Sequence, residues 1–130
     1  IDERDDITNS LDQTNIEVAN KSHRRILKEL EFTNQTYIAV ATHDHAIDRE
    51  IVAYCAKQPH AYLGMIGSKR KVEMARKTFL AGKVLTENEM HDIDWPMGID
   101  IKVQTPQEIA ISILAKMIDI RSKKQASHAR

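Results

Sequence analysis

The sequence predicts an open α/β fold in which a mostly parallel sheet is flanked by helices. Two short apolar runs, residues 36–42 and 61–66, are typical of strands that are buried on both faces of a parallel sheet. Each run is followed at once by a segment whose apolar residues have helical spacing. Strand, helix, strand and helix joined by tight turns indicate right-handed βαβ units, which place the strands in parallel.

The elements before the first run are predicted to be short. Residues 1–2 are interpreted as the end of a strand whose beginning lies upstream, so that the sheet is incomplete at its N-terminus. Residues 6–15 are polar and rich in turn formers, which predicts a loop. A very short strand at residues 16–18 and an amphipathic helix over residues 24–32 complete this part.

Capping and breaking residues set the bounds of the later elements. The predicted elements are helices over residues 46–57, 69–81, 87–93 and 106–121, with an extended connection over residues 96–103. Pro59 stops the first of these helices, while Ser68 and Gly82 flank the second. Thr86 begins a capping box, and Thr105 caps a final helix that has proline at its first position.

Length and composition favour one domain, over residues 1–120, with a basic tail over residues 121–130. The 19 basic and 19 acidic side chains balance, so no overall field attracts nucleic acid or a membrane surface. The single cysteine, Cys55, excludes an internal disulfide and favours the cytoplasm. The last helix is expected to pack an apolar face into the core, formed by Ile109, Ile113, Leu114 and Met117.

The first turn that could carry chemistry is the sequence Thr42-His43-Asp44-His45, directly after a predicted strand. In extended backbone His43 and His45 point to the same side and could share a metal with Asp44, as in a metal-dependent hydrolase. Imidazoles also suit hydrogen bonds to a heterocycle or a phosphate. A third interpretation is a polar turn that only caps the next helix, and the three stay open.

The second turn lies between Gly64 and Lys71 and predicts an anion site. Gly64 and Gly67 permit close backbone approach, and the helix that follows offers unpaired N–H groups. Ser68 adds a hydroxyl, while Arg70 and Lys71 could close on a phosphate or a carboxylate. The alternative is a tight strand-to-helix turn followed by an exposed basic face.

Both turns follow parallel strands, so we expect them to meet at the carboxyl edge of the sheet. We expect Asp2 to lie in the same crevice, placed like the acid that binds a ribose hydroxyl in dinucleotide folds. A third feature is the bend at residues 95–100, which contains the only tryptophan, a proline and a glycine. Packing is the favoured interpretation of this bend, with a ligand lid or a partner contact as the alternative.

Four motifs in order resemble the C-terminal Rossmann-type domain of the xanthine dehydrogenase accessory-factor family, the XdhC/CoxI family. They are THDHA at residues 42–46, YLGMIGSKRK at 62–71, PMGIDI at 96–101 and TPQEIAISI at 105–113. The resemblance extends from Asp2 to about Ile118. It implies a Rossmann-like domain whose first strand and glycine-rich turn lie upstream.

The resemblance also implies a function. Members of the family bind molybdenum cofactor, promote its sulfuration with a cysteine desulfurase, and deliver it to a molybdenum hydroxylase such as xanthine dehydrogenase. We therefore expect an accessory protein with no catalytic or metal-binding residues of its own. The cofactor-binding residues are expected to be Asp2, His43, Asp44, His45, Gly64, Gly67, Ser68, Arg70 and Lys71.

Three other functions remain as alternatives at this point. The first is an NAD(P)-dependent oxidoreductase built on the same fold, which would need a complete glycine-rich turn upstream. The second is the metal-dependent hydrolase that uses His43 and His45. The third is a module that joins two copies of the protein into a homodimer.

Overall fold

The computed structural model describes residues 1–9 and 15–128. Its helices and strands, in chain order, are α1 (Asp5–Asn9), α2 (His23–Glu29), β1 (Tyr37–Val40), α3 (His45–Cys55), β2 (Tyr62–Met65), α4 (Lys69–Ala81), α5 (Glu87–His91), β3 (Ile93–Asp94) and α6 (Pro106–His128). The three strands form one parallel sheet in the order β1-β2-β3. The predicted open α/β fold is confirmed.

Strand β2 is the centre of the sheet, and all four of its residues are buried. Its near-continuous apolar character follows from this position, because both of its faces are covered by other parts of the chain. In the parallel register Tyr37 lies beside Tyr62 and Val40 beside Met65. The register aligns the carboxyl ends of β1 and β2, so the turns that follow them start side by side.

The core lies where α3 and α4 pack on the sheet. Its buried side chains are Leu27, Val40, Val52, Cys55, Leu63, Met65, Val72, Ala75, Phe79, Leu85, Met90 and Ile93. Leu63 and Val52 are completely buried. Burial of side chains of this size contributes about 1.5–3 kcal/mol each, and this apolar packing holds the two helices in place on the sheet.

A helix begins at the carboxyl edge of the sheet after each of the first two strands: α4 begins at Lys69, as predicted, and α3 begins at His45, one residue before the predicted start at Ala46. Asp44 caps α3 with its side chain, which accepts a hydrogen bond from the backbone N–H of Ala46 at 2.8 Å. Ser68 caps α4, as predicted, and accepts from the N–H of Lys71 at 3.3 Å. Away from this edge, Thr86 and Glu89 form the predicted capping box. Both βα turns therefore deliver a helix N-terminus to the same edge.

The structure differs from the prediction near its beginning. Residues 6–9, predicted as a loop, belong to α1, where two acidic residues in the first turn suit the helix dipole. The rest of that predicted loop up to residue 14 lies outside the described residues. Residues 1–2 and 16–18 are not strands, because a single backbone bond, from Asp2 N–H to the oxygen of Ala19 at 3.1 Å, does not make a ladder.

Helix α6 is longer and more exposed than the sequence predicts. It continues past residue 121 to His128, because no glycine or proline stops it. The predicted core role is wrong for Leu114, which is 58% exposed and lies on an open face with Ile111 and Ile118. Instead Ser112 is the buried contact of this helix. Within the described ranges, no helix, this longest one included, has the length and apolar composition needed to cross a membrane.

Candidate functional site

The turns after β1 and β2 meet, as predicted. We call residues 42–45 the histidine turn and residues 67–71 the glycine–serine turn. The side chains of Lys71 and His45 are in hydrogen-bond contact, with Nζ and Nε2 2.6 Å apart. The backbone supports this contact, because the N–H of Ile66 donates to the oxygen of Val40 at 3.0 Å where the two strands end.

Short hydrogen bonds fix the shape of the histidine turn. The hydroxyl of Thr42 donates to the backbone oxygen of Asp44 at 2.8 Å and accepts from the N–H of Asp44 at 3.2 Å. The carboxylate of Asp44 is engaged as the cap of α3. Asp44 therefore has a structural role in the turn, and its predicted contact with a cofactor remains a prediction.

Asp48 is part of this turn although the sequence analysis does not single it out. It lies on α3, its side chain is completely buried, and Oδ1 accepts from the N–H of Thr42 at 2.8 Å. Oδ2 has no hydrogen-bond partner among the described residues, and Nδ1 of His45 lies 3.4 Å away from it. The signal that could have found it is the His-x-x-Asp spacing, which places both side chains on one helix face.

The glycine–serine turn opens onto a depression of about 420 Å³, which we call the basic depression. The residues that line it are His45, Arg49, Met65, Ser68, Arg70, Lys71, Met74 and Ala75. Three of them, Arg49, Arg70 and Lys71, are cationic. Because they stand beside the N-terminus of α4, which carries a partial positive charge, the depression suits an anion such as a phosphate.

The two histidines of the turn do not share a cavity. His43 lines a separate groove of about 380 Å³ beside β1, which we call the edge groove, whereas His45 lines the basic depression. The expectation that they point to the same side is wrong, because His45 is already the first residue of α3 and extended alternation ends at Asp44. Among the residues that the structure describes, no three His, Cys, Asp or Glu side chains could hold a metal ion together.

Asp2 lies with His43 in the edge groove, so the predicted single crevice is in fact two cavities. Both oxygens of Asp2 are engaged by Arg4, with Nε 2.9 Å from Oδ1 and Nη2 2.6 Å from Oδ2. The hydrogen bonds to Arg4 hold the pKa of Asp2 far below its ordinary value. Asp2 is therefore charged across the physiological range, and its ribose role stays a prediction.

Gly64 has a packing explanation. It is buried in β2, where a Cβ atom would collide with the hydroxyl of Tyr62 and lie 2.8 Å from Cβ of Met97. That hydroxyl donates to Oδ2 of Asp94 at 2.7 Å. Burial, followed by the contact with Asp94, raises the pKa of Tyr62 well above its usual range. A glycine is needed here for Tyr62 to lie along the strand.

The bend after β3 packs against the same strand, which confirms its predicted packing role. The ring of Trp95 stacks on Phe79 with centroids 6.1 Å apart. The N–H of Met97 donates to the oxygen of Met65 at 2.9 Å, at the end of β2. The bend therefore supports the strand from which the glycine–serine turn departs.

We expect Cys55 to be unreactive in the folded protein. It is 1% exposed, and burial raises the pKa of its thiol to about 11, so the nucleophilic thiolate is scarce at neutral pH. Treatment with iodoacetamide at about pH 8 should leave the native protein unmodified by mass spectrometry, whereas the protein unfolded in guanidinium should gain one adduct. Rapid alkylation of the native protein would contradict the buried placement.

Comparison with known proteins finds a matching family model and two similar curated proteins. A family model described as the XdhC Rossmann domain matches residues 1–117. The chain is 32% identical over 96 residues to the Escherichia coli (strain K12) protein YqeB, which is described as uncharacterized. It is 29% identical over 99 residues to a Bacillus subtilis (strain 168) protein described as a probable subunit of xanthine dehydrogenase. These alignments cover 74% and 76% of this chain.

A solved structure shows the same fold. It is the crystal structure of a xanthine dehydrogenase from Bacillus halodurans, with a TM-score of 0.64 and 30% sequence identity over 80% of this chain. The chain spans 17% and 28% of the length of the two curated relatives and 29% of that structure's chain. The similarity thus concerns one domain of longer proteins.

Proposed function

This chain belongs to the XdhC Rossmann-domain family, and we propose that it is the phosphate-binding module of a maturation factor for a xanthine dehydrogenase-type molybdenum hydroxylase. In this proposal the basic depression holds the phosphate of molybdenum cofactor while the cofactor is passed to the recipient enzyme. The observation that carries the proposal is the group of cationic side chains, with His45, at the N-terminus of α4. The names of two of the similar proteins support the link to xanthine dehydrogenase.

The electrostatics of the depression favour a phosphate. A helix N-terminus leaves backbone N–H groups without intrahelical partners, and one of them, that of Lys71, is satisfied by Ser68. Backbone N–H groups at a helix N-terminus can donate to an oxyanion, and the guanidinium of Arg70 can bind two of its oxygens at once.

The donor set fits the phosphate end of the cofactor. When bound, the cofactor supplies the molybdenum centre on which the recipient hydroxylase performs its redox chemistry. In our proposal Arg70 and Lys71 bind the phosphate, and Ser68 orders the turn that presents them. Cys55 is buried in the core and takes no part. The cysteine desulfurase partner and the homodimer remain predictions of the resemblance.

Arg70→Ala is the first test. Isothermal titration of the intact protein with molybdenum cofactor under anaerobic conditions should give a Kd about 10- to 100-fold higher for this variant, because a charged hydrogen bond contributes about 1.5–3 kcal/mol. Lys77→Ala, which removes one exposed charge two turns further along α4, should change the Kd by less than about twofold.

Two outcomes would overturn the proposal. One is an equal Kd for Arg70→Ala and the wild type, since the basic depression would then not hold the phosphate. The other is tight binding of NADPH accompanied by hydride transfer, which would identify a nicotinamide-dependent oxidoreductase. A parallel titration with NADPH and an absorbance assay for its oxidation distinguish these results.

A further inference from the structure

Three ionisable side chains form a chain from the core to the basic depression. The buried carboxylate of Asp48 faces Nδ1 of His45 at 3.4 Å, and Nε2 of the same ring contacts Nζ of Lys71 at 2.6 Å. The side chain of Asp48 is 1% exposed and that of His45 is 45% exposed. The imidazole therefore bridges a group inside the protein and a group at the surface.

The chemistry of these groups fixes the tautomer of His45. The ammonium of Lys71 has donors and no acceptor, so Nε2 of His45 must be the acceptor in the contact between them. A neutral imidazole whose Nε2 accepts carries its proton on Nδ1. Nδ1 lies 3.4 Å from Oδ2 of Asp48, the carboxylate oxygen that lacks a hydrogen-bond partner among the described residues.

We propose that Asp48 is a positioning residue of the basic depression, which acts through His45 to hold Lys71 where an anion binds. A buried carboxylate is costly unless its oxygens are satisfied. The N–H of Thr42 satisfies Oδ1, and in this proposal a small rotation of the His45 ring brings its Nδ1–H group into hydrogen-bond geometry with Oδ2, 3.4 Å from Nδ1. The identity of the anion rests on the proposed function, whereas the tautomer does not.

The charged groups around His45 agree with this role. On α3 these are Asp48 and Arg49, with Asp44 at its start, and on α4 they are Arg70 and Lys71. The carboxylate of Asp44 caps α3, and the two arginines line the depression with no part in the contact between His45 and Lys71. Asp48 is thus the carboxylate that selects the tautomer.

Asp48→Asn would place a hydrogen-bond donor, in place of an acceptor, opposite Nδ1 of His45. Its amide oxygen can still accept from Thr42, but its NH₂ group donates to Nδ1 of His45 and so favours the tautomer with the proton on Nε2. A protonated Nε2 no longer accepts from Lys71, and the ammonium is released from its position. We therefore expect a changed tautomer together with weaker anion binding.

The test reads the tautomer directly. Two-bond ¹H–¹⁵N NMR spectra of the intact protein should show wild-type His45 as the neutral tautomer protonated at Nδ1. Asp48→Asn should show it protonated at Nε2, with a Kd for inorganic pyrophosphate raised about tenfold. Asp92→Asn, which changes an exposed aspartate, should leave both readouts unchanged.

A wild-type His45 protonated at Nε2 would overturn the inference, even if Asp48→Asn does not fold. An unchanged pyrophosphate Kd in a folded Asp48→Asn protein with a reversed tautomer would also overturn it. Failure of the proposed function gives a different result, in which pyrophosphate binds as described but molybdenum cofactor does not bind.

Discussion

Gly64→Ala is expected to lower the free energy of unfolding by about 2–3 kcal/mol, near the upper end for overpacking a core. The added methyl group would meet the hydroxyl of Tyr62 and Cβ of Met97 in the centre of the sheet. Neither neighbour can move freely, because Tyr62 is hydrogen-bonded to Asp94 and Met97 is bound to the end of β2. Relief of the clash therefore requires a shift of the backbone.

Urea denaturation followed by circular dichroism measures this effect, and Gly82→Ala is the matched control. Gly82 lies at the end of α4 with φ of −83°, which alanine adopts readily, so its substitution should change stability by less than about 1 kcal/mol. If the Gly64→Ala protein instead has wild-type stability but no longer binds the cofactor, the role of Gly64 is contact with the ligand and not packing.

Gly98→Ala is expected to destabilise the protein by about 3 kcal/mol, for two reasons that add. The φ angle of Gly98 is +106°, a conformation that costs a residue with a side chain about 1–3 kcal/mol. In addition, the new Cβ atom would lie 2.5 Å from Oγ of Ser112 on α6. Thermal denaturation should show a correspondingly lower Tm.

A double-mutant cycle separates the two reasons. Ser112→Ala removes the hydroxyl that the new methyl group would meet, so it should recover about 1 kcal/mol in the background of Gly98→Ala. The strain at φ of +106° should remain. Strictly additive effects of the two substitutions would show that the contact between the bend and α6 is not the source of the clash.

The fold could largely be predicted because its main signals are local. The apolar runs that became β1 and β2 and the caps at Ser68 and Thr86 are all readable within a few residues. Strand β3 is missed, and Ile93 is wrongly assigned to the helix predicted over residues 87–93, because pairing with β2, a long-range contact, creates this two-residue strand. The exposure of Leu114 is also missed, since amphipathic spacing does not say whether a partner surface exists.

The site could be predicted in its position but not in its internal organisation. Topology brings the two turns to one edge, which the sequence predicts. His43 and His45 line different cavities because α3 begins at His45. If α3 began one residue later, the side chain of His45 would follow the alternation of extended backbone and point to the same side as that of His43. The role of Asp48 depends on its complete burial, which is not visible in a sequence where acidic residues are usually exposed.

The parallel register of β1 and β2 has a consequence for how the domain matures. A slip of one residue between the strands would displace one turn relative to the other by about 3.3 Å, enough to separate the 2.6 Å contact between Lys71 and His45. It would also send every side chain of the slipped strand to the opposite face. Only a correctly aligned sheet assembles the basic depression, so the proposed anion binding would require the native register of β1 and β2.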